Sequence, residues 1–148
     1  MLIISHRGNL NGPEPLKENL IDSINLAIHK GFDVELDLWY IDSKFFLGHD
    51  SPKNLISIDL LFSIRNKLWI HCKNRDCLEQ LYILNKDLNY FWHETDKYTI
   101  TSKGFFWIYP NTKPIFNGIL VTKDQNINQK YKNILYGICT DYPLNFGI

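Results

Sequence analysis

The chain has 148 residues, 45% of them hydrophobic, which is enough for one domain with a real core (residues 1–148), too short for two, and incompatible with disorder. Its 16 Lys+Arg balance 16 Asp+Glu. No general electrostatic grip on nucleic acid or an anionic membrane is expected, only room for a local basic pocket. Cys72, Cys77 and Cys139 are odd in number and lack metal-type spacing, which fits free buried thiols in a reducing cytosol. No apolar run reaches the ~20 residues of a membrane span. The stretch Met1–His6 is too short and uncharged for a signal peptide, so a cytoplasmic protein is expected.

Leu2 to Ser5 reads as a short buried strand, ending in His6-Arg7-Gly8. Asn9 to Pro15 is rich in Asn, Gly and Pro and reads as a loop. From Leu16 to Lys30 the apolar residues Leu16, Leu20, Ile24, Ala27 and Ile28 share one face, which predicts an amphipathic helix with Gly31 just past its end. Phe32 to Ile41 is a strand. Its alternation sets Asp33, Glu35, Asp37 and Trp39 on one face, with Val34, Leu36 and Leu38 on the other. Asp42-Ser43-Lys44 is a tight turn into a return strand, Phe45 to Leu47, which ends in Gly48-His49-Asp50. Ile58 to Ile64 is a weak helix. Leu68 to Lys73 is a strand with His71 and Lys73 on one face, followed by a helix from Asp76 to Asn85. Tyr90 to Glu94 is a strand, and Tyr98 to Thr101 and Phe105 to Tyr109 form two more around Ser102-Lys103-Gly104. Gly118 to Thr122 is a strand, Asn128 to Tyr136 a short helix within a polar surface segment, and Ile138 to Thr140 the last strand. Strand and helix alternate, so the class is α/β with largely parallel strands.

The residues suited to chemistry fall at the C-terminal ends of these strands: His6, then Glu35 and Asp37, then His71 and Lys73, then His93 and Glu94. In a (β/α) barrel that rim is where active sites are built. Glu35 and Asp37 share a face between apolar neighbours, and two buried carboxylates need a cation between them. A hard divalent ion, Mg2+ or Ca2+, is the simplest neutraliser. His6 and His49 suit removal of a proton from a nucleophile and donation of one to a leaving oxygen near neutral pH. Arg7 can clasp a phosphate oxygen by two parallel hydrogen bonds, its ordinary alternative being a salt bridge to Glu18 or Asp37. Together these are the parts of a divalent-metal phosphodiesterase. Glu18 and Asn19 either orient His6 or complete the ion's shell. The commoner role for Glu18 is an exposed acid complementing the helix dipole. Trp92, Trp107 and Tyr109 either line a substrate headgroup or, more ordinarily, pack in the core.

The segments Ile4-Ser5-His6-Arg7-Gly8, Glu18-Asn19, Gly31-Phe32-Asp33-Val34-Glu35-Leu36-Asp37 and Phe46-Leu47-Gly48-His49-Asp50 together resemble the glycerophosphodiester phosphodiesterase family. Weaker matches follow at Leu68–Lys73 and Ile138–Pro143. The family is a TIM barrel related to phosphatidylinositol-specific phospholipases and sphingomyelinase D toxins. The resemblance implies His6 and His49 as the acid/base pair, Glu35 and Asp37 as metal ligands, and Arg7 and Lys73 on the phosphate. The reaction it implies is hydrolysis of a glycerophosphodiester to glycerol 3-phosphate and an alcohol.

Two departures sharpen the expectation. The family's third metal-binding Glu is here His71, a poorer ligand for Mg2+ or Ca2+ than a carboxylate. The ion then binds weakly, takes water, borrows Glu94, or is a softer metal such as Mn2+ or Zn2+. Second, about twenty residues separate His49 from His71, so the substrate-binding insertion common there is missing. A full barrel runs ~250 residues. A reduced, irregular barrel with an open site is expected, which suits a large or polymeric diester, or a partner protein, better than a small enclosed headgroup. The substrate expected is a small-molecule or polymeric phosphodiester, and the small size suggests a homodimer. The alternative is a degenerate relative that binds phosphate or a phosphosugar without turnover.

Overall fold

A computed structural model describes residues 1–84 and 87–146. In chain order the elements are β1 (Leu2–His6), α1 (Ile21–His29), β2 (Asp33–Ile41), β3 (Lys44–Leu47), β4 (Asn54–Ile56), α2 (Ile58–Ser63), β5 (Leu68–Cys72), α3 (Arg75–Leu84), β6 (Tyr90–Trp92), β7 (Tyr98–Ile100), β8 (Phe106–Ile108), β9 (Gly118–Val121), α4 (Ile127–Tyr131) and β10 (Gly137–Thr140). The parallel strands lie side by side in the order β6-β5-β2-β1-β10-β9-β8. Two antiparallel additions complete the sheet: the β2-β3-β4 meander and the β7-β8 hairpin.

The two ends of this path, β6 and β8, meet through side chains. Phe91 of β6 stacks on Trp107 of β8 at 4.5 Å between ring centres, and Trp107 lies 5.9 Å from Trp69 of β5. The Ser102 amide, in the turn after β7, donates to the Tyr90 carbonyl. The sheet is therefore curled into a reduced TIM-barrel-like form with few helices. α1, α3 and α4 are crossovers between neighbouring parallel strands, while the β8-to-β9 connection has no helix among the described residues.

Three apolar clusters follow from strand alternation. Ile4, Trp69, Phe91, Trp107, Ile119 and Cys139 fill the inside of the curl. Val34, Leu36, Leu38 and Ile70 point outward against Ile24 and Ala27 of α1, Leu61 of α2, and Cys77 and Leu81 of α3. Ile108, Leu120 and Ile138 do the same against Ile127 of α4. All three cysteines are buried and free. No helix among the described residues is long and apolar enough to cross a membrane.

Most expected elements are present, with strand ends shifted by a residue or two. The expected helix end at Asn85 lies outside the described residues. Two expectations are corrected. The helix expected from Asn128 to Tyr136 ends at Tyr131. The helix from Leu16 to Lys30 starts only at Ile21, and Leu16 is 94% exposed. Asn19 has φ 57°, which no right-handed helix tolerates, and its side chain is committed elsewhere, as described below.

Trp107→Ala removes the ring that joins the two sheet edges. A loss of about 3–5 kcal/mol is expected, read as a lowered midpoint in urea denaturation.

Candidate active site

The inward positions at the C-terminal rim carry His6, Glu35, Asp37, His71, Lys73, His93 and Asp141, directly above the aromatic filling. Registry explains the convergence: His6 sits beside Glu35 on β1 and β2, and Asp37 beside His71 on β2 and β5. A cavity of about 430 Å³ opens there, lined among others by His6, Arg7, Glu35, His49, His71 and Lys73. Its opposite wall holds Trp92, His93, Glu94, Trp107 and Tyr109.

Asp37 is fully buried and held from every side. Asn19 Nδ2 donates to Asp37 Oδ2 at 2.9 Å, and the Asp37 amide donates back to Asn19 Oδ1 at 2.9 Å. Arg7 Nε lies 3.1 Å from Oδ2, while His71 Nδ1 and Lys73 Nζ lie 3.1 and 3.5 Å from Oδ1. Burial alone would raise its pKa. The contact with His71 and the charge of Arg7 outweigh burial and hold the carboxyl well below the usual carboxylate range. Glu35 is different. Burial, and then the charge of Asp37, push its pKa up, and its Oε2 is buried with no hydrogen-bond donor on it.

His6 is fixed by a residue that motif reading passed over. Asp141, just past β10, takes His6 Nδ1 at 2.7 Å and also accepts from Asn9 Nδ2 at 2.9 Å. With Nδ1 engaged, Nε2 faces Glu35 Oε2 at 3.8 Å and the cavity. Burial would lower the His6 pKa, but the Asp141 bond and the Glu35 charge raise it overall. Asp141 stands where strand-end logic applied to the last strand would point.

Arg7 has φ 56°, an uncommon backbone state for a side chain of this size. Its amide continues the ladder to the Glu35 carbonyl, and its own carbonyl accepts from Asn19. The guanidinium makes both expected salt bridges, Nη1 to Glu18 Oε2 at 3.1 Å and Nε to Asp37, and still lines the cavity. Glu18 also accepts from Asn9 Nδ2. The expectation of a dipole-complementing surface acid is thereby corrected: Glu18 is tied to the site because the helix does not begin until three residues later.

His49 reaches the cavity from the β3-β4 turn. Trp39 Nε1 donates to the Gly48 carbonyl at 2.6 Å and anchors that turn. A Cβ on Gly48 would lie 2.1 Å from the Ser51 carbonyl oxygen, so only glycine fits beneath His49. His49 Nδ1 contacts Asp50 Oδ1 at 2.6 Å. Glu94 is exposed on the cavity wall and does not join the donor cluster. Core packing alone does not describe the aromatic trio: Trp107 is buried, but Trp92 and Tyr109 line the cavity with it.

A metal ion has one place to go among the described residues. Glu35, Asp37 and His71 each present a donor atom, all within 4.8 Å of one another. These residues fit a divalent cation, because two buried carboxylates there carry oxygens that accept no hydrogen bond, Glu35 Oε2 and Asp37 Oδ1.

The fold and this rim define a reduced TIM-barrel-like protein with a charged site at the C-terminal ends of its strands. No protein-family model matches the chain, and no curated protein sequence does. Among solved structures it is similar to a protein of Silicibacter pomeroyi DSS-3 assigned as a glycerophosphoryl diester phosphodiesterase. The two are 11% identical, with 98% of this chain and 91% of that one covered and a TM-score of 0.55. A Galdieria sulphuraria protein assigned as a glycerophosphodiester phosphodiesterase follows at 13% identity, 98% and 95% coverage and a TM-score of 0.46. At such identity the first likeness establishes the shared fold.

Asn19→Ala removes both amide bonds to Asp37 from a left-handed position. It should cost about 2–4 kcal/mol in urea denaturation, the sum of an unsatisfied buried donor, the Asp37 amide, and backbone strain. Asn19→Gly, which keeps the backbone but not the amide, should recover only part of that loss.

Proposed function

We propose that this chain is a metal-dependent phosphodiester hydrolase of the glycerophosphodiester phosphodiesterase type. The observation that carries the reading is the shared cavity: Glu35 and His71, the acid/base pair His6 and His49, and the cations Arg7 and Lys73 face one space of about 430 Å³, with the third donor, Asp37, buried within 4.8 Å of Glu35 and His71. The N-terminal motifs and the assignment of the Silicibacter neighbour support the same chemistry.

Glu35, Asp37 and His71 hold the ion. When bound, a divalent cation there supplies positive charge against the phosphoryl group. The remaining work falls to the chain's own side chains. Arg7 and Lys73 face the cavity as cations and take the non-bridging phosphate oxygens. Glu18 and Asp37 hold the guanidinium in place, so little reorganisation is needed when charge builds on phosphorus. His6 and His49 divide the two proton transfers, one accepting from the attacking oxygen and one donating to the leaving oxygen. Asp141 keeps His6 Nδ1 occupied, which makes Nε2 the atom that exchanges a proton with substrate. Trp92, Trp107 and Tyr109 give the alcohol portion an apolar wall.

A second reading is capture of a phosphate group without turnover. One observation favours it: Arg7 and Lys73 already spend part of their charge on Asp37.

The test is hydrolysis of bis(p-nitrophenyl) phosphate and glycerophosphocholine with added divalent ions. Chelation should abolish turnover. His6→Ala and His49→Ala should each lower kcat by about 10²–10⁴-fold, the usual contribution of general acid–base groups. Binding of inorganic phosphate without cleavage of any diester would favour the second reading.

Asp141→Asn keeps a hydrogen-bond partner for His6 but no negative charge. It should lower kcat by about tenfold or more with little change in KM, because it acts on His6 and not on substrate.

A further inference from the structure

The candidate metal site differs from an all-oxygen site at one corner, and that corner is built from behind. His71 Nε2 lies 2.8 Å from the carbonyl oxygen of His93, a group that can only accept, so Nε2 carries the hydrogen. That leaves Nδ1 to hold either a proton or, in the neutral ring, a bare lone pair. That atom faces Asp37 Oδ1 at 3.1 Å and Glu35 Oε1 at 3.9 Å. The ring lies flat on Phe91, 5.2 Å between centres and 6° between planes, so its direction is set by packing as well as by the hydrogen bond.

Acceptor atoms facing one another at this distance repel unless a proton or a metal cation sits between them. Asp37 is prepared in the same sense: Asn19 and Arg7 occupy Oδ2, while Oδ1, with Lys73 Nζ at 3.5 Å, accepts no hydrogen bond. A carbonyl that fixes a histidine's tautomer and direction from its far nitrogen is the usual support for a metal-binding imidazole.

We propose that His71 Nδ1 is a metal ligand and that it turns the site toward a first-row transition ion of the Zn2+ class, away from Mg2+ and Ca2+. Imidazole suits the former, whereas the latter demand oxygen donors. This rests on the metal-dependent reading above and specifies its ion; His93 contributes through its backbone carbonyl, as a positioning group.

The experiment is binding, not turnover. Protein stripped with a chelator is titrated calorimetrically with Zn2+, Mn2+, Mg2+ and Ca2+, and metal content after dialysis is measured by mass spectrometry. One transition ion per chain is expected, bound at least about 100-fold more tightly than Mg2+ or Ca2+. Because carboxylates alone also prefer Zn2+ to Mg2+, the deciding comparison is with His71→Glu. That variant should narrow the Zn2+-to-Mg2+ ratio by about tenfold or more, and His71→Ala should weaken Zn2+ by about 10²-fold. Circular dichroism checks that both variants fold. If they do not, the absorption spectrum of Co2+ in the unaltered protein decides, since imidazole ligation changes it from that of an all-oxygen site. An unchanged ratio in His71→Glu, an all-oxygen Co2+ spectrum, or no bound ion would overturn the inference. His71-dependent Zn2+ binding without cleavage of any diester would instead sink the hydrolase reading and leave this one standing. Cleavage supported by Mg2+ with no dependence on His71 would do the reverse.

Discussion

A fully buried carboxylate, Asp37, governs the architecture around it. A charge taken out of water costs several kcal/mol unless its oxygens are met by donors or cations. Here the solution draws on three separate stretches of chain: Asn19 before α1, Arg7 after β1, and His71 with Lys73 at the end of β5. Two of those stretches depart from their simplest geometry. Arg7 and Asn19 take left-handed backbones, and α1 loses its first turn. The strain is local, and the carboxylate it serves sits at the centre of the rim.

How much of this was legible in the sequence depends on the range of the forces involved. The Glu35-Leu36-Asp37 alternation is a period-2 pattern, so strand and face could be read directly, and the burial of both acids followed. The convergence of strand ends was legible for the same reason. The start of α1 was not, because the apolar spacing from Leu16 onward is helical and the signal against it is a tertiary bond from Asn19 to a residue eighteen positions away. Glu18 was misread with it. Asp141 was missed because its partner His6 lies 135 positions earlier, and only its place just past the last strand marks it. The meeting of β6 with β8 was equally hidden, since it depends on aromatic stacking between short strands and not on a ladder.

The reduced size of the barrel has a physical logic. Strands β6, β7 and β8 are only three residues each. Strands so short contribute few backbone hydrogen bonds, and large rings replace them as the means of cohesion. Trp69, Phe91, Phe105 and Trp107 form a connected aromatic group inside the curl. The chain thus forgoes helices on one side and keeps the strand ends that carry chemistry.

The Phe91–Trp107 stack has a consequence for the site above it. Phe91 supports the His71 ring, and two residues further along the same strand end the His93 carbonyl holds that ring's far nitrogen. The seam of the sheet and the nitrogen corner of the donor cluster are therefore one mechanical unit. The ring that closes the barrel across its seam is thus also the floor of the imidazole in the cation cluster, so seam packing and cation grip share one side chain.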